Sequence, residues 1–221
     1  MRNVILIITE ILLSYISLII LAKKYKTDGI YIFGIIATII SCIMNLKQIT
    51  IMNINIPIGL GITSSLLIVG NLLTQTKGKE EIKNYLLIMT ITFIISYIII
   101  SLSSYIEISE FNYYANKSYD IIFTNNLRAS LALIISLIIS IYTSSNLYYT
   151  IKRIQNKIVY SNIFSVIISS FIENIIFVII LYLYTYSPID IFLSIVLRYM
   201  IKTIILLFGT ITIYITNKYN Y

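Results

Sequence analysis

An all-α bundle of transmembrane helices is the fold class that the sequence predicts, and three observations predict it. The chain of 221 residues is 58% hydrophobic and only 11% charged, and its mean hydropathy of +0.92 lies far from that of a soluble domain. Its apolar runs approach or exceed the roughly 20 residues a helix needs to cross a bilayer core of ~30 Å. Short loops between those runs hold most of the basic residues. Together these predict one integral membrane domain covering residues 1–221.

Seven spans are expected, at residues 4–22, 29–44, 54–73, 85–105, 127–149, 159–184 and 189–216. The first follows Met1-Arg2-Asn3, runs 19 residues and stops at Lys23-Lys24; that is longer than a signal-peptide core, so it reads as a retained helix. The second is short. Asn53, Asn55 and Pro57 read as the entry to the third, with Pro57 in its first turn, where a missing N–H is harmless. Gly59 and Gly61 would then let a neighbouring helix come close. Gly78 is placed to stop that helix. The longest loop, residues 107–126, carries Glu107, Glu110 and Asp120 against Lys117 and reads as a polar connector or cover. Ser187-Pro188 marks a tight turn before the last span. With 20 tyrosines and no tryptophan, the interfacial aromatics must be tyrosines. Tyr105, Tyr113, Tyr114, Tyr148, Tyr149, Tyr184, Tyr186, Tyr214 and Tyr219 stand near span ends.

Loop charges set an orientation. Arg2, Lys47 and Lys117 fall on one side; Lys23, Lys24, Lys26, Lys77, Lys79, Lys83, Lys152, Arg153, Lys157 and Lys218 fall on the other. The bias predicts an N-terminus outside and a C-terminus inside. This topogenic placement accounts for the net charge of +7 without a nucleic-acid partner. The chain has no histidine and one cysteine, Cys42. That excludes an internal disulfide and the usual zinc and haem chemistries, so no cofactor, no metal site and no catalytic residues are expected. A paired-carboxylate motif is also missing, which argues against an enzyme.

The informative residues are the polar ones inside apolar runs. Ser161, Ser165, Ser169 and Glu173 recur every four residues, forming one helical stripe that ends in an acid. Arg198 and Lys202 stack on one face of the last span. Ionisable groups at such depth are expensive and point to a functional site, or to an ion pair that fixes helix packing. Asn71 and Gln75, also four apart, suit a polar ligand or interhelical hydrogen bonds. Glu10 is isolated in the first span and reads as a helix-contact or cavity residue.

The stretch Gly70-Asn71-Leu72-Leu73-Thr74-Gln75-Thr76-Lys77-Gly78-Lys79-Glu80-Glu81 resembles the signature of the queuosine-precursor transporter family, also called VUT or vitamin-uptake-like proteins. Asn71 and Gln75 stand at the family's two acidic positions; Gly78 and Lys79 match directly. Upstream, Tyr25, Gly29, Tyr31, Ala37-Thr38, Lys47 and the segment 57–61 come in the family order. Downstream, Arg128 and Ala129 open the next motif, and Ser145 and Tyr149 replace an Asp and an aromatic. Asn162, Ser165, Ser169, Ser170, Glu173 and Phe177 are similar to a polar family helix, while Tyr199 and Lys202 fit Tyr-x-x-Lys.

The resemblance implies a six-helix core with one added N-terminal helix, and a transporter importing a queuosine precursor, a 7-deazaguanine such as queuine or an earlier intermediate. It also implies a substrate site drawn from Asn71, Gln75, Arg128, Ser165, Ser169, Ser170, Glu173, Tyr199 and Lys202. Three family carboxylates are then an amide, an amide and a serine here, and neither can carry a proton as an acid does. Glu173 is the carboxylate left in the core motif. The expected partners are a 7-deazaguanine-like small molecule and membrane lipid, with a homo-oligomer or a separate energising subunit left open. No nucleotide-binding loop occurs, so ATP could act only through another protein. Two other readings stand beside this one: an importer or substrate-binding subunit for another vitamin-like solute, and a non-transporting membrane scaffold or sensor.

Overall fold

The first two expected spans form one element folded on itself. The computed structural model describes residues 2–45, 47–51, 54–103, 106, 117 and 127–220. In it, helix α1 (Arg2–Met44) breaks at Lys26, whose φ of 52° and ψ of −130° are not helical. The break reverses the chain. A Cβ on Gly29 would stand 2.1 Å from the carbonyl oxygen of Leu21, two positions that a straight helix would hold about 12 Å apart. Only glycine admits that approach. At the far end, Leu6, Ile7 and Glu10 of the first limb line a cavity with Met44 and Lys47 beyond the second, so the limbs run antiparallel.

Next comes a small antiparallel hairpin, β1 (Gln48–Ile51) and β2 (Ile54–Pro57), paired from Gln48 opposite Pro57 to Ile51 opposite Ile54. This corrects the expectation that residue 54 begins a helix with Pro57 in its first turn. Gln48-Ile49-Thr50-Ile51 and Ile54-Asn55-Ile56 alternate polar and apolar with the period of a strand, a signal that hydropathy averaging erases. Pro57 ends the ladder, and helix α2 (Leu60–Lys77) begins after Gly59. Gly78, at φ 91°, stops α2 as its sequence position promised, and its N–H donates to the Thr74 carbonyl (3.1 Å).

Four long helices complete the bundle: α3 (Glu81–Ser103), α4 (Leu127–Gln155), α5 (Ile158–Tyr182) and α6 (Pro188–Asn220). Among the described residues five helices are long and apolar enough to cross a membrane, the α1 hairpin and α3 to α6. The protein is an all-α membrane bundle carrying one small β-hairpin among its described residues. Ile91, Ile94, Ile95, Ile98 and Ile99 of α3 and Ile204, Leu207, Phe208 and Ile211 of α6 face outward, as suits contact with lipid.

Helix α2 is the inverse. Every residue from Leu60 to Gln75 is buried, and the helix packs on α1, α3, α4, α5 and α6. It is the axis of the bundle, about 27 Å long at 1.5 Å per residue. Because neighbouring elements alternate in direction, the Lys26 break, Gly78, Asn156 and Lys218 share one end. Lys77 reaches across that end to the Tyr31 ring (5.5 Å), and Gly78 and Asn156 line one cavity there. The β-hairpin caps the opposite end. Residues 107–116 and 118–126 of the expected polar loop, with Tyr105, Tyr113 and Tyr114, lie outside the described residues.

The α1 turn makes a signed prediction. Helix propensity alone says that Gly29→Ala should stabilise by about 1 kcal/mol, whereas the contact with Leu21 says that it destabilises by about 1–3 kcal/mol through overpacking. A lowered thermal midpoint of the purified protein in detergent is the expected result.

Candidate functional site

The polar residues of the spans converge on α2 in three tiers. The first is charged. Glu173 on α5 and Lys202 on α6 are both fully buried and form a direct ion pair through Glu173 Oε1. The Lys202 ammonium also donates to Thr63 Oγ1 on α2 (3.3 Å), so one cation ties three helices. Arg198, one turn earlier on α6, holds Nη2 3.8 Å from the same carboxylate oxygen. Its Nε donates to Asn174 Oδ1 (2.7 Å), and its guanidinium centre lies 3.9 Å from the Phe177 ring centroid. The helical stripe explains the geometry: residues 161, 165, 169 and 173 point inward together because they repeat near the helical period, and all four are buried. Several buried atoms in this tier lack a hydrogen-bond partner, namely Glu173 Oε2, Ser169 Oγ and both terminal nitrogens of Arg198.

About 12 Å further along α2, at 1.5 Å per residue, lies an amide tier. Asn71 Nδ2 donates to Asn162 Oδ1 (2.8 Å) and Ser165 Oγ (2.9 Å), while Ser144 Oγ donates to Asn71 Oδ1 (3.0 Å). Asn162 Nδ2 continues to Thr210 Oγ1 (3.2 Å). One amide thus joins α2, α4, α5 and, through Asn162, α6. Ser145 lies against Gly70, where a Cβ would stand 3.0 Å from its hydroxyl oxygen.

The third tier closes the Gly78 end. Tyr148 donates to Gln75 Oε1 (2.7 Å), and Gln75 Nε2 donates to Asn217 Oδ1. Gln75 and Tyr148 line a cavity of about 460 Å³ that also includes Lys152 and Arg153. Asn217 lines a second of about 480 Å³ beside Lys157 and Tyr214. The Gln75–Asn217 contact therefore separates two surface cavities. At the hairpin end, Glu10 lines a cavity of about 520 Å³ and lies beside Gly61 and Ile62 at the start of α2, with Oε1 unpartnered. A carboxylate there complements the positive end of the helix dipole.

The expected site residues therefore divide. Glu173 and Lys202 meet, with Ser169 one turn from Glu173 on the same stripe. Asn71 and Ser165 meet in the second tier, and Gln75 belongs to the third. Ser170 turns its hydroxyl to the Ile167 carbonyl (2.9 Å), and its own carbonyl accepts from Asn174 Nδ2 (2.6 Å). Two residues stand apart. Arg128 donates through Nε to the Ile180 carbonyl (2.6 Å) and through Nη2 to the Leu183 carbonyl, capping the C-terminal end of α5. Tyr199 packs edge-on against Phe171, ring centroids 5.2 Å apart, on the seam between α5 and α6.

Sequence reasoning missed Thr63, Ser144, Thr210 and Asn217, since isolated hydroxyls and a terminal amide carry no periodic signal. It also took Tyr148 for an interfacial residue, whereas the side chain is fully buried and bonded to Gln75. The carboxamide at position 75 is what draws the phenol inward.

The family model described as putative vitamin uptake transporter matches residues 57–216, from the end of β2 to near the end of α6. No curated protein and no solved structure matches the chain.

Breaking one side of the buried ion pair should be worse than removing both. Glu173→Gln, which strips both Arg198 and Lys202 of their shared carboxylate, should destabilise by about 3–5 kcal/mol, and adding Lys202→Met should recover part of that loss; chemical denaturation in detergent reads both. In the second tier, Asn71→Ala and Asn162→Ala should each cost about 0.6–2 kcal/mol and combine non-additively in a double-mutant cycle.

Proposed function

The chain belongs to the putative vitamin uptake transporter family, and from that premise we propose that this multi-pass membrane transporter imports a queuosine precursor, a 7-deazaguanine. The observation that carries the proposal is the buried Glu173–Lys202 pair on facing helices. A buried pair is a weak stabiliser compared with apolar packing of the same volume, so its presence calls for another use. A guanine-like edge offers N–H donors and carbonyl acceptors side by side. Glu173 Oε2, with no partner of its own, suits the donors; Lys202 and Ser169 suit the acceptors. Ligand entry then exchanges the intrachain pair for contacts to the base.

In this proposal the other site residues play different parts. Asn71 with Ser165, and Gln75 with Tyr148 and Asn217, are clasps that open and close between helices as the bundle rocks in alternating access. Arg128 and Tyr199 hold α5 against α4 and α6, while Ser170 bonds within α5 itself. The basic end faces the cytoplasm and the β-hairpin end faces outward, across the inner membrane. Energy comes from an ion gradient or from a separate partner; a homo-oligomer fits either.

A second reading, that the cargo is another vitamin-like solute, is favoured by the family's own description. Rescue separates the two. In a host unable to make queuosine, expression of this chain with each 7-deazaguanine precursor in turn should restore queuosine-modified tRNA. Glu173→Gln and Lys202→Met, compared at equal membrane abundance, should each lower uptake of labelled precursor by about ten-fold or more. Uptake that survives both substitutions would remove these residues from the site; no rescue by any precursor would favour the other solute.

A further inference from the structure

Arg198 and Lys202 share one carboxylate, so the first tier holds one positive charge more than it can neutralise. Lys202 and Glu173 satisfy each other as a direct pair. Arg198 is left with a distant approach to the same oxygen, 3.8 Å from Nη2 and without a hydrogen bond. Glu173 is the one carboxylate in contact with either cation among the described residues. Glu10, the other acid inside the bundle among the described residues, lies beside Gly61 and Ile62 at the start of α2 and forms no ion pair with either cation. The Arg198 side chain is anchored at Nε and over one face of its guanidinium. Asn174 fixes Nε at 2.7 Å, the Phe177 ring lies under the guanidinium at 3.9 Å, and the residue is only 1% exposed. The fork formed by Nη1 and Nη2 has no hydrogen-bond partner. A guanidinium always carries its charge, and a buried one needs an acceptor partner.

We infer that Arg198 is a specificity-determining residue of the transport site, reading an anionic or acceptor-rich substituent on the ligand and disfavouring a cationic one. This deepens the function proposed above and rests on it. The planar fork suits two adjacent acceptors, such as a carboxylate or a carbonyl beside a nitrile. The Phe177 face positions the fork without competing for its N–H groups. An ammonium on the ligand would meet Arg198 and Lys202 together, against one carboxylate already engaged, and like charges at a buried site are strongly disfavoured.

Three 7-deazaguanines of nearly the same shape make the test: one carrying a 7-carboxylate, one a neutral 7-nitrile and one a 7-aminomethyl cation. Their binding to the full chain, purified into lipid nanodiscs, is measured by calorimetry or competition. The carboxylate and nitrile compounds should bind at least about ten-fold more tightly than the aminomethyl compound. Arg198→Gln should shrink the carboxylate-to-aminomethyl ratio by about ten-fold, and Arg198→Lys, which keeps the charge, should retain most of it. If the aminomethyl compound binds native protein as well as the other two, the inference is overturned while the proposed function stands. A preference unchanged in Arg198→Gln also overturns it. If none of the three binds, the inference is overturned, and rescue with each precursor in turn decides the proposed function separately. The native-protein comparison decides the matter even if the variants fail to fold.

Discussion

A helix with no lipid face must have every polar side chain answered by a neighbour, and that constraint on α2 organises this protein. Thr63, Asn71 and Gln75 sit on an axis buried from Leu60 to Gln75. Each is answered by a different combination of surrounding helices: Lys202 for the first, Ser144, Asn162 and Ser165 for the second, Tyr148 and Asn217 for the third. Away from water an unanswered group costs several kcal/mol, so these bonds select the rotation of α4, α5 and α6 about the axis. Apolar packing alone would leave that rotation loosely specified, because the outer faces of those helices are lined with large apolar side chains.

The tiers differ in kind. The one nearer the β-hairpin is ionic, with three charged side chains and several unused polar atoms. The two nearer the Gly78 end are joined by neutral side-chain hydrogen bonds, with the Ser145 hydroxyl left unpartnered. The resemblance noted in the sequence puts carboxylates at 71, 75 and 145. Here amides and a serine stand there, and an amide supplies donor and acceptor at once, whereas an ionised carboxylate only accepts. The Asn71 cluster uses both functions, donating to two partners and accepting from a third. A neutral tier of this kind needs no counter-ion, and the ionic work is left to Glu173.

Much of this was legible in the sequence, for physical reasons that differ from residue to residue. The membrane class followed from composition, and the inward stripe ending at Glu173 followed from its four-residue spacing. The opposite charge four apart at Arg198 and Lys202 identified the partners, because few groups can neutralise an acid at that depth. What was hidden was whatever depended on a contact between distant segments. The closeness of Gly29 to Leu21 is invisible until the chain reverses at Lys26. Arg128 looks like a site residue until it is seen capping α5. The β-hairpin was masked by its isoleucines, which read as membrane-spanning until their alternation is noticed.

The composition that suits α2 to the middle of the bundle has a consequence for how the protein is made. Five helices among the described residues are long and apolar enough to cross a membrane, and α2 is not among them. A segment presenting Thr63, Ser64, Ser65, Asn71, Thr74 and Gln75 would partition poorly into lipid if it left the insertion machinery alone. The α1 hairpin precedes it in synthesis and offers both limbs as a packing surface, with Gly61 lying against Ile11. Biogenesis therefore favours holding the axis beside α1 until α4 to α6 arrive to enclose it, so the order of the helices along the chain is also an order of assembly.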